Sequence, residues 1–279
     1  MKYVPKQLKD NVNVVSESPV KGFSDLLFRI LVVILASYLL LGIAVDLIVP
    51  RLSIDAEVKI GDLVWNKFDK NTQLPKKEEE QKIQLILDKL ITHANLPKFD
   101  YKIYIQDSKE VNALALPGGR ILVFTGLLKQ VRSENELAMI LAHELGHFAY
   151  RDHLRALGRG LVFVALSTLT LGSDNSISKV ISNTIMNIET RFSQKQEEAA
   201  DIYALDLLNA SYNNVAGALD FYERIAAKEK IAKFLFFFTS HPYTKDRIAL
   251  INKRIQEKGY LVGEKIPLVL YSQNKTQEN

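Results

Sequence analysis

Residues 143–147 read His-Glu-Leu-Gly-His, and this pentapeptide determines how the rest of the 279-residue sequence is interpreted. On an α-helix, His143 and His147 are one turn apart, so their side chains point in the same direction. Two imidazoles on one helix face can bind one zinc ion. Glu144 lies between them, where it can accept a proton from a water molecule on the metal. The chain has only five histidines, which makes this spacing informative.

A second motif can complete the site. A catalytic zinc ion needs a third protein ligand and one open position for water. The best candidate is the run Glu197-Glu198-Ala199-Ala200-Asp201. Because Glu197 and Asp201 are four residues apart, both carboxylates face the same side of a helix. One can bind the metal, and the other can accept the free ring N–H of a ligand histidine and fix its tautomer.

Two alternatives compete with this interpretation. The acidic run could be a solvated helix face, and the pentapeptide could lie on a helix with two exposed histidines. Glu144 and His147 also form a Glu-x-x-His pair, the unit of di-iron carboxylate bundles. Such a bundle requires a second Glu-x-x-His pair, and the sequence contains no other. The residues therefore support one hydrolytic metal ion, which we expect to be zinc.

Small residues indicate how the two motifs meet. Ala199, Ala200 and Ala204 keep one surface of the second helix small. Gly146 has the same effect on the first helix, although glycine costs about 1 kcal/mol relative to alanine in a helix interior. This cost indicates a packing reason, so we expect the two helices to approach each other closely.

The composition restricts both the chemistry and the partners. The chain has no cysteine, so disulfides are excluded and a metal must be bound by His, Asp or Glu. The net charge is +4, but basic residues are interleaved with acidic ones, as in the stretch Lys76-Lys77-Glu78-Glu79-Glu80. No basic stripe of the kind that follows a phosphate backbone is present, so no nucleic-acid partner is expected.

Residues 26–49 form an almost wholly apolar segment, and no charge interrupts it between Ile30 and Val45. As a helix it would extend about 36 Å, enough to cross a bilayer core with some tilt. Arg29 and Asp46 lie near its ends, where charged side chains reach the interface at low cost. No small-x-small site follows, which argues against a cleaved signal peptide. We predict a single-pass anchor in the cell membrane; the alternative is a buried core helix.

Lysines and arginines flank both sides of the anchor, so they do not decide its orientation. A short N-terminal tail before a long C-terminal domain favours a catalytic domain on the extracytoplasmic (periplasmic) side. A second apolar run, Leu161–Leu171, would extend only about 17 Å as a helix, which is too short to span a membrane. It is expected to be a core helix or one that dips into the membrane surface.

Five regions follow from these patterns along the chain. They are a polar tail (1–22), a transmembrane anchor (23–49), a linker (50–75), a catalytic domain (76–270) and a C-terminal tail (271–279). The expected fold class is α+β, mainly helical, with a small sheet preceding the active-site helix and one N-terminal transmembrane helix.

Local signals place the elements of the catalytic domain. Alternating apolar residues predict strands over 99–105, 111–116 and 121–124, with a turn at Pro117-Gly118-Gly119. Capping-box patterns at Ser133/Glu136 and Ser193/Gln196 predict the starts of the two motif helices, which run to about Tyr150 and Asn209. Helical spacing predicts further helices over 76–90, 215–228 and 245–258.

Two more stretches accompany the metal motifs. Residues 112–121 with Thr125-Gly126-Leu127-Leu128 form a strand and turn before the active helix, and Ser240-His241-Pro242 with Arg247-Ile248 forms a late His-Pro segment. Together with 143–147 and 197–201, these stretches resemble the M48 family of membrane-associated zinc metallopeptidases. The resemblance covers roughly residues 75–255.

The resemblance implies a gluzincin-like fold with defined roles. His143, His147 and Glu197 would bind one zinc ion, with Asp201 behind them as the partner of a ligand histidine. Glu144 would be the general base. His241 would approach the site and assist the substrate or the transition state. Asn112, Ala113 and Leu114 would lie on an edge strand that pairs with an extended substrate.

Two features depart from the family pattern. Glu198 stands where many relatives have an aromatic residue, and the single anchor is unlike the multi-span branches of the family. The expected protein is a membrane-anchored, zinc-dependent metalloendopeptidase that cleaves protein substrates in envelope quality control. The alternative is a metallopeptidase-like chaperone or assembly factor whose site is held closed. The sequence does not specify the physiological substrate or the oligomeric state.

Overall fold

The structure, a computed structural model, describes residues 19–68, 77–171, 192–227, 241 and 245–270. The order of elements is α1 (Pro19–Ile48), a 3-10 turn (Val49–Arg51), α2 (Ile54–Phe68), α3 (Lys77–Ile91), β1 (Lys102–Gln106), β2 (Ala113–Leu116), β3 (Arg120–Phe124), α4 (Thr125–Leu128), α5 (Glu134–Ala149), α6 (Asp152–Leu171), α7 (Gln194–Tyr212), α8 (Asp220–Ala226) and α9 (Lys245–Lys258). Helices dominate and a small sheet precedes α5, as predicted. The predicted tails fall largely outside these residues.

The sheet has the strand order β1-β3-β2. β1 runs parallel to β3, and β2 runs antiparallel to it. In the part of the chain that the structure describes, β2 is thus an edge strand. Gly118 and Gly119 join β2 to β3 with φ angles of 82° and 83°, a left-handed conformation that glycine adopts without strain. The predicted Pro-Gly-Gly turn is therefore confirmed.

Helix α5 lies at the centre of the domain, and every residue from Asn135 to Phe148 is buried. The sheet and α3 pack on it, and its most extensive helix contact is with α7. A Cβ atom added at Gly146 would lie 2.9 Å from the Cα atom of Ala200 and 3.1 Å from its carbonyl oxygen. The predicted close approach of the two motif helices is confirmed, because any larger residue at position 146 would meet the backbone of α7.

The helix starts show where local signals hold and where they fail. At α7, Ser193 and Gln196 form the complete capping box that was predicted. At α5, the Ser133 hydroxyl accepts a hydrogen bond from the Glu136 backbone, but the Glu136 carboxylate accepts from the backbone of Arg132 instead of Ser133. This carboxylate also pairs with Arg224. The capping box at Ser133 is therefore only half formed, because Glu136 pairs with Arg132 and Arg224 instead.

The helix predicted over 215–228 is shorter than expected. Gly217 has a φ of 75°, and a Cβ atom there would lie 3.3 Å from the Ser133 hydroxyl oxygen. The chain turns at this point to pack against the start of α5. Helix α8 begins only at Asp220.

The segment expected to be a linker contains helix α2. Val64 of α2 is buried in a small apolar cluster with residues of the sheet and α6. The Glu57 carboxylate lies 2.8 Å from His153 Nε2, and both side chains are buried. α2 is therefore packed on the catalytic domain, which an extended linker would not be.

Among the residues that the structure describes, α1 is the one helix that is long and apolar enough to cross a membrane. Only 6% of its most apolar stretch of 18 residues is buried in the structure. Its C-terminal end packs against α6, where Arg159 donates to both carboxylate oxygens of Asp46 at 2.9 and 2.7 Å. Arg151 donates to the carbonyls of Val49 and Leu52. The segment at the end of α1 is thus joined directly to the end of α5.

The apolar run Leu161–Leu171 forms the second half of α6. Leu161 is 38% exposed and Phe163 is 63% exposed. The first expectation, a core helix, is therefore wrong for these residues, and a position at the membrane surface is the expectation that stays open.

Candidate active site

Helix α5 presents the first three site residues. His143, Glu144 and His147 are all buried although they are polar, because α5 runs through the middle of the domain. His143 Nε2 lies 3.1 Å from His147 Nε2. The one-turn spacing of the sequence motif therefore brings the two ring nitrogens together.

Helix α7 supplies the carboxylates. Glu197 lies 3.5 Å from His143 Nε2 through Oε2 and 3.6 Å from His147 Nε2 through Oε1. Asp201 lies one turn later and accepts a hydrogen bond from His143 Nδ1 at 2.9 Å. One carboxylate thus faces the paired nitrogens and the other orients a ring from behind, as expected of an i, i+4 pair.

His241 joins the same cluster from a distant part of the chain. Its Nδ1 lies 3.1 Å from Glu197 Oε1 and 3.3 Å from His143 Nε2. Its Nε2 lies 3.5 Å from Glu144 Oε1. The approach of His241 to the site, which the sequence resemblance implied, is present in the geometry. Ser240 and Pro242, its neighbours in the motif, lie outside the described residues.

The donor set matches what a tetrahedral metal ion requires. His143, His147, Glu197 and His241 each offer one ligand atom, and these atoms all lie within 4.8 Å of one another. With metal–nitrogen bonds near 2.05 Å, neighbouring ligand atoms of a tetrahedron are about 3.3 Å apart. The contacts of 3.1 to 3.6 Å around Glu197 and the two α5 histidines meet this requirement. Nitrogen and carboxylate donors without sulfur suit zinc among several divalent metals.

Further side chains contact the candidate ligands from behind. Asp152, at the start of α6, lies 3.2 Å from His147 Nδ1 through Oδ2, and Gln196 donates to its other oxygen at 2.7 Å. Phe192 stacks on the His147 ring with centroids 3.9 Å apart. These contacts fix the plane of the His147 ring and assign its Nδ1 as the donor, which leaves Nε2 free toward the cluster.

Arg247 of α9 neutralises the two buried carboxylates. It lies 2.6 Å from Glu197 Oε2 and donates to Asp201 through Nε and a terminal nitrogen at 2.6 and 2.7 Å. The Tyr222 hydroxyl donates to Asp201 Oδ1 at 2.9 Å. Arg247 is 1% exposed, so this pairing is shielded from water. The guanidinium fork holds the Glu197 and Asp201 carboxylates in fixed positions.

The surroundings shift the protonation of the cluster. Burial lowers the pKa of His143, but hydrogen bonds with Asp201 and Glu197 outweigh burial and raise it to about 9. Burial also lowers the pKa of His147, and here it prevails. Burial raises the pKa of Asp201, but the Arg247 guanidinium overcomes this and holds it at about 2. Burial opposes the charge of Glu197 too, yet His241 and His143 keep its pKa well below the usual value.

Glu144 connects the cluster to the edge strand. Its Oε2 accepts a hydrogen bond from the backbone N–H of Ala115 at 2.9 Å. Ala113 points its N–H in the same outward direction, and the Asn112 side chain accepts from it at 3.0 Å. Asn112 itself is buried just before β2, and Leu114 pairs with Leu122 of β3. The outward edge of β2 therefore faces the side of α5 that carries Glu144.

Sequence reasoning missed four of the residues that surround the ligands: Asp152, Phe192, Tyr222 and Arg247. Asp152 follows the second histidine by five residues, a spacing that could have indicated its proximity. Arg247 belongs to the late His-Pro segment of the sequence analysis, which assigned no role to this arginine. Tyr222 and Phe192 reach the site only through the tertiary fold.

The chain is similar in sequence to known proteins. Residues 77–255 match the sequence profile of Peptidase family M48. The chain is 31% identical to Metalloprotease LoiP of Escherichia coli (strain K12) over 215 residues, which cover 74% of this chain and 83% of that protein. It is 28% identical to Mitochondrial metalloendopeptidase OMA1 of Schizosaccharomyces pombe over 183 residues, 63% of this chain and 52% of that protein. It is 27% identical to Metalloprotease YcaL of Escherichia coli (strain K12), over 72% of this chain and 81% of that protein.

Proposed function

The chain belongs to peptidase family M48, and from this premise we propose that it is a zinc-dependent endopeptidase that cleaves protein substrates beside a membrane. Its relatives are metalloproteases, and the chain is accordingly a metallopeptidase with an apolar N-terminal helix compatible with an anchor. The observation that supports the finer assignment best is the convergence of His143, His147 and Glu197 within tetrahedral ligand distances.

The proposed ligands are two imidazoles from α5 and one carboxylate from α7. Zinc in this position would supply Lewis acidity, which polarises a peptide carbonyl and acidifies a water molecule. Asp201 and Asp152 hold the Nδ1 atoms of the two ligand rings and so keep the Nε2 atoms directed at the metal position. One zinc ion per chain follows from this donor set.

Glu144 is the proposed general base. It would take a proton from the attacking water and return it to the amine that leaves. The Ala115 N–H holds the Glu144 carboxylate in place, and β2 adds an edge to which an extended substrate backbone can pair. Backbone hydrogen bonds form with any extended segment, whatever its side chains. The edge from Asn112 to Leu114 therefore favours unfolded substrates and selects little for their sequence.

His241 is proposed to assist catalysis, with three other donors as the resident ligands. A zinc ion bound by four protein side chains has no position for water, so a catalytic site keeps one position open. His241 Nε2 lies next to Glu144, where it can donate to charge that develops on the substrate carbonyl oxygen. Replacing it by glutamine should lower kcat about 100-fold while bound zinc stays stoichiometric. A gain of activity, or loss of the metal, would contradict this role.

The central test is proteolysis by the full-length chain in detergent with denatured casein as substrate. We expect internal cleavage that a chelator abolishes and added zinc restores. Glu144→Gln should reduce the rate by at least about 100-fold with zinc retained. Glu198→Gln is the matched control, because this neighbouring carboxylate pairs with Gln194. Stoichiometric zinc without cleavage of any unfolded protein would favour a chaperone or assembly factor.

The cellular assignment is also a proposal. We propose that the catalytic domain lies on the extracytoplasmic face of the cell membrane, in envelope protein quality control, with the apolar helix α1 ahead of the metal motifs as its anchor. Protease digestion of intact cells and spheroplasts tests this arrangement. A domain that is protected in spheroplasts would lie in the cytoplasm instead.

A further inference from the structure

Helix α6 has no charged residue from Gly160 to Leu171, yet the side chains that the structure describes there, at positions 161–163, 165 and 166, are exposed or half-buried. Leu161 and Phe163 are 38% and 63% exposed. An apolar helix face of this kind is unfavourable in water, since each large side chain loses about 1.5–3 kcal/mol of burial energy. Such a face indicates an apolar environment that covers it.

The position of α6 relative to the anchor identifies that environment. A Cβ atom at Gly158 would lie 2.8 Å from Val45 of α1, and Arg159 pairs with Asp46. Just before α6, Arg151 donates to the carbonyls of Val49 and Leu52, which follow the end of α1. Residues further along α6 therefore contact residues earlier in α1. The two helices run antiparallel, and the exposed half of α6 extends toward the middle of the anchor.

Partial burial along α1 marks the same contact. Ile34, Ser37, Gly42, Ala44, Val45 and Asp46 are half-buried, whereas the other residues from Leu31 to Ile48 are exposed. Four of the six lie at positions 42–46, beside the contacts with Gly158 and Arg159. α1 therefore contacts α6 mainly near its C-terminal end, and most of its apolar surface stays free.

Charged residues change to apolar residues at the same level on both helices. Asp46 of α1 contacts Arg155 and Arg159 of α6. Beyond this group, α1 is uncharged from Val45 back to Ile30, and α6 is uncharged to its end. Carboxylate and guanidinium groups at the base of two apolar helices are typical of the boundary between lipid and water.

We propose that α6 enters the bilayer beside α1, with the face that carries Leu161 and Phe163 in contact with lipid acyl chains. The twelve residues from Gly160 to Leu171 would extend about 18 Å, roughly half to two thirds of a hydrocarbon core. α6 is thus a second membrane element that enters one leaflet.

The arrangement also sets the height of the active site. Asp152, which holds His147, lies seven residues before Arg159, or about 10 Å along the helix axis. The metal position thus lies close to the lipid headgroups. This part of the proposal rests on the proposed peptidase function, and it favours substrate segments that are held at the membrane surface.

Quenching of tryptophan fluorescence by lipids with brominated acyl chains tests the contact directly. The chain has a single tryptophan, Trp65. The reporter is full-length Trp65→Phe/Phe163→Trp in bilayer nanodiscs. The lipid control is Trp65→Phe/Leu40→Trp on α1, and the water control is Trp65→Phe/Leu85→Trp on α3, since both leucines are well exposed.

We expect the tryptophan at position 163 to be quenched to an extent comparable to that at position 40, with little quenching at position 85. If the tryptophan at position 163 is quenched no more than the one at position 85, the proposal is overturned. This holds whether water or protein covers the helix. Leu161→Trp is the second reporter if the first variant does not fold, as judged by circular dichroism. The readout needs no turnover, so it is independent of whether casein is cleaved.

Discussion

Replacement of Arg247 by methionine tests how the buried charges of the site are balanced. Arg247 links α9 to Glu197 and Asp201 of α7 and is almost completely buried. Methionine fills a similar volume but leaves Glu197 and Asp201 without their cation. Breaking a buried ion pair by removing one partner costs about 3–5 kcal/mol. At about 2–4 °C per kcal/mol for a domain of this size, the melting temperature should fall by about 6–20 °C.

The same two helices contain a matched control. Arg254 of α9 pairs with Asp206 of α7 through two nitrogens, but the two side chains are 26% and 36% exposed. An exposed pair of this type contributes at most about 1 kcal/mol. Arg254→Met should therefore lower the melting temperature by no more than about 4 °C.

The assay is thermal unfolding of the full-length chain in detergent, with zinc and with a chelator. We expect Arg247→Met to lower the melting temperature more with the chelator than with zinc. A divalent cation next to Glu197 would replace part of the missing positive charge. Equal decreases in melting temperature for the Arg247 and Arg254 variants would refute the assigned role of Arg247 as the cation that neutralises the site.

Three further predictions concern the ligands and their supports. Gly146→Ala should destabilise the chain by about 1–2 kcal/mol, since overpacking against the Ala200 backbone exceeds the gain in helix propensity; an unchanged melting temperature and zinc affinity would contradict this. Asp152→Ala should weaken zinc binding by about 10- to 100-fold in a competition assay with a chelating dye, because the His147 ring loses its partner; wild-type affinity would be evidence against it. Zinc at 100 times its Kd should stabilise the wild type by about 2.7 kcal/mol relative to the chelated protein, and this increment should be absent in Glu197→Gln if the carboxylate is a ligand.

Much of the fold is encoded locally, and those parts could be predicted. The capping box at Ser193 and the spacing in residues 143–147 depend on neighbours within one helix turn, and the structure reproduces both. The turn at Gly118 and Gly119 likewise follows from backbone sterics. The approach of the two motif helices could be inferred from Gly146 because a glycine inside a helix requires a packing reason.

Interactions between distant segments could not be read from the sequence. Arg247 meets Asp201 across 46 positions, and nothing near either residue specifies the other. Glu136 carried a correct local pattern, but Arg224 of α8 competes for its carboxylate. Gly217 interrupts a helical pattern only because the start of α5 lies against it. In each case a tertiary partner overrides a local preference.

The contact between α1 and α6 has a practical consequence for experiments on fragments of this protein. A soluble fragment that starts near residue 50 would remove Val45, Asp46 and Val49, the residues on which α6 and Arg151 rest. Arg159 would lose its counter-ion, and the apolar side of α6 would become an exposed hydrophobic patch that drives self-association. Poor behaviour of such a fragment would therefore reflect the cut itself and would say little about the intact enzyme.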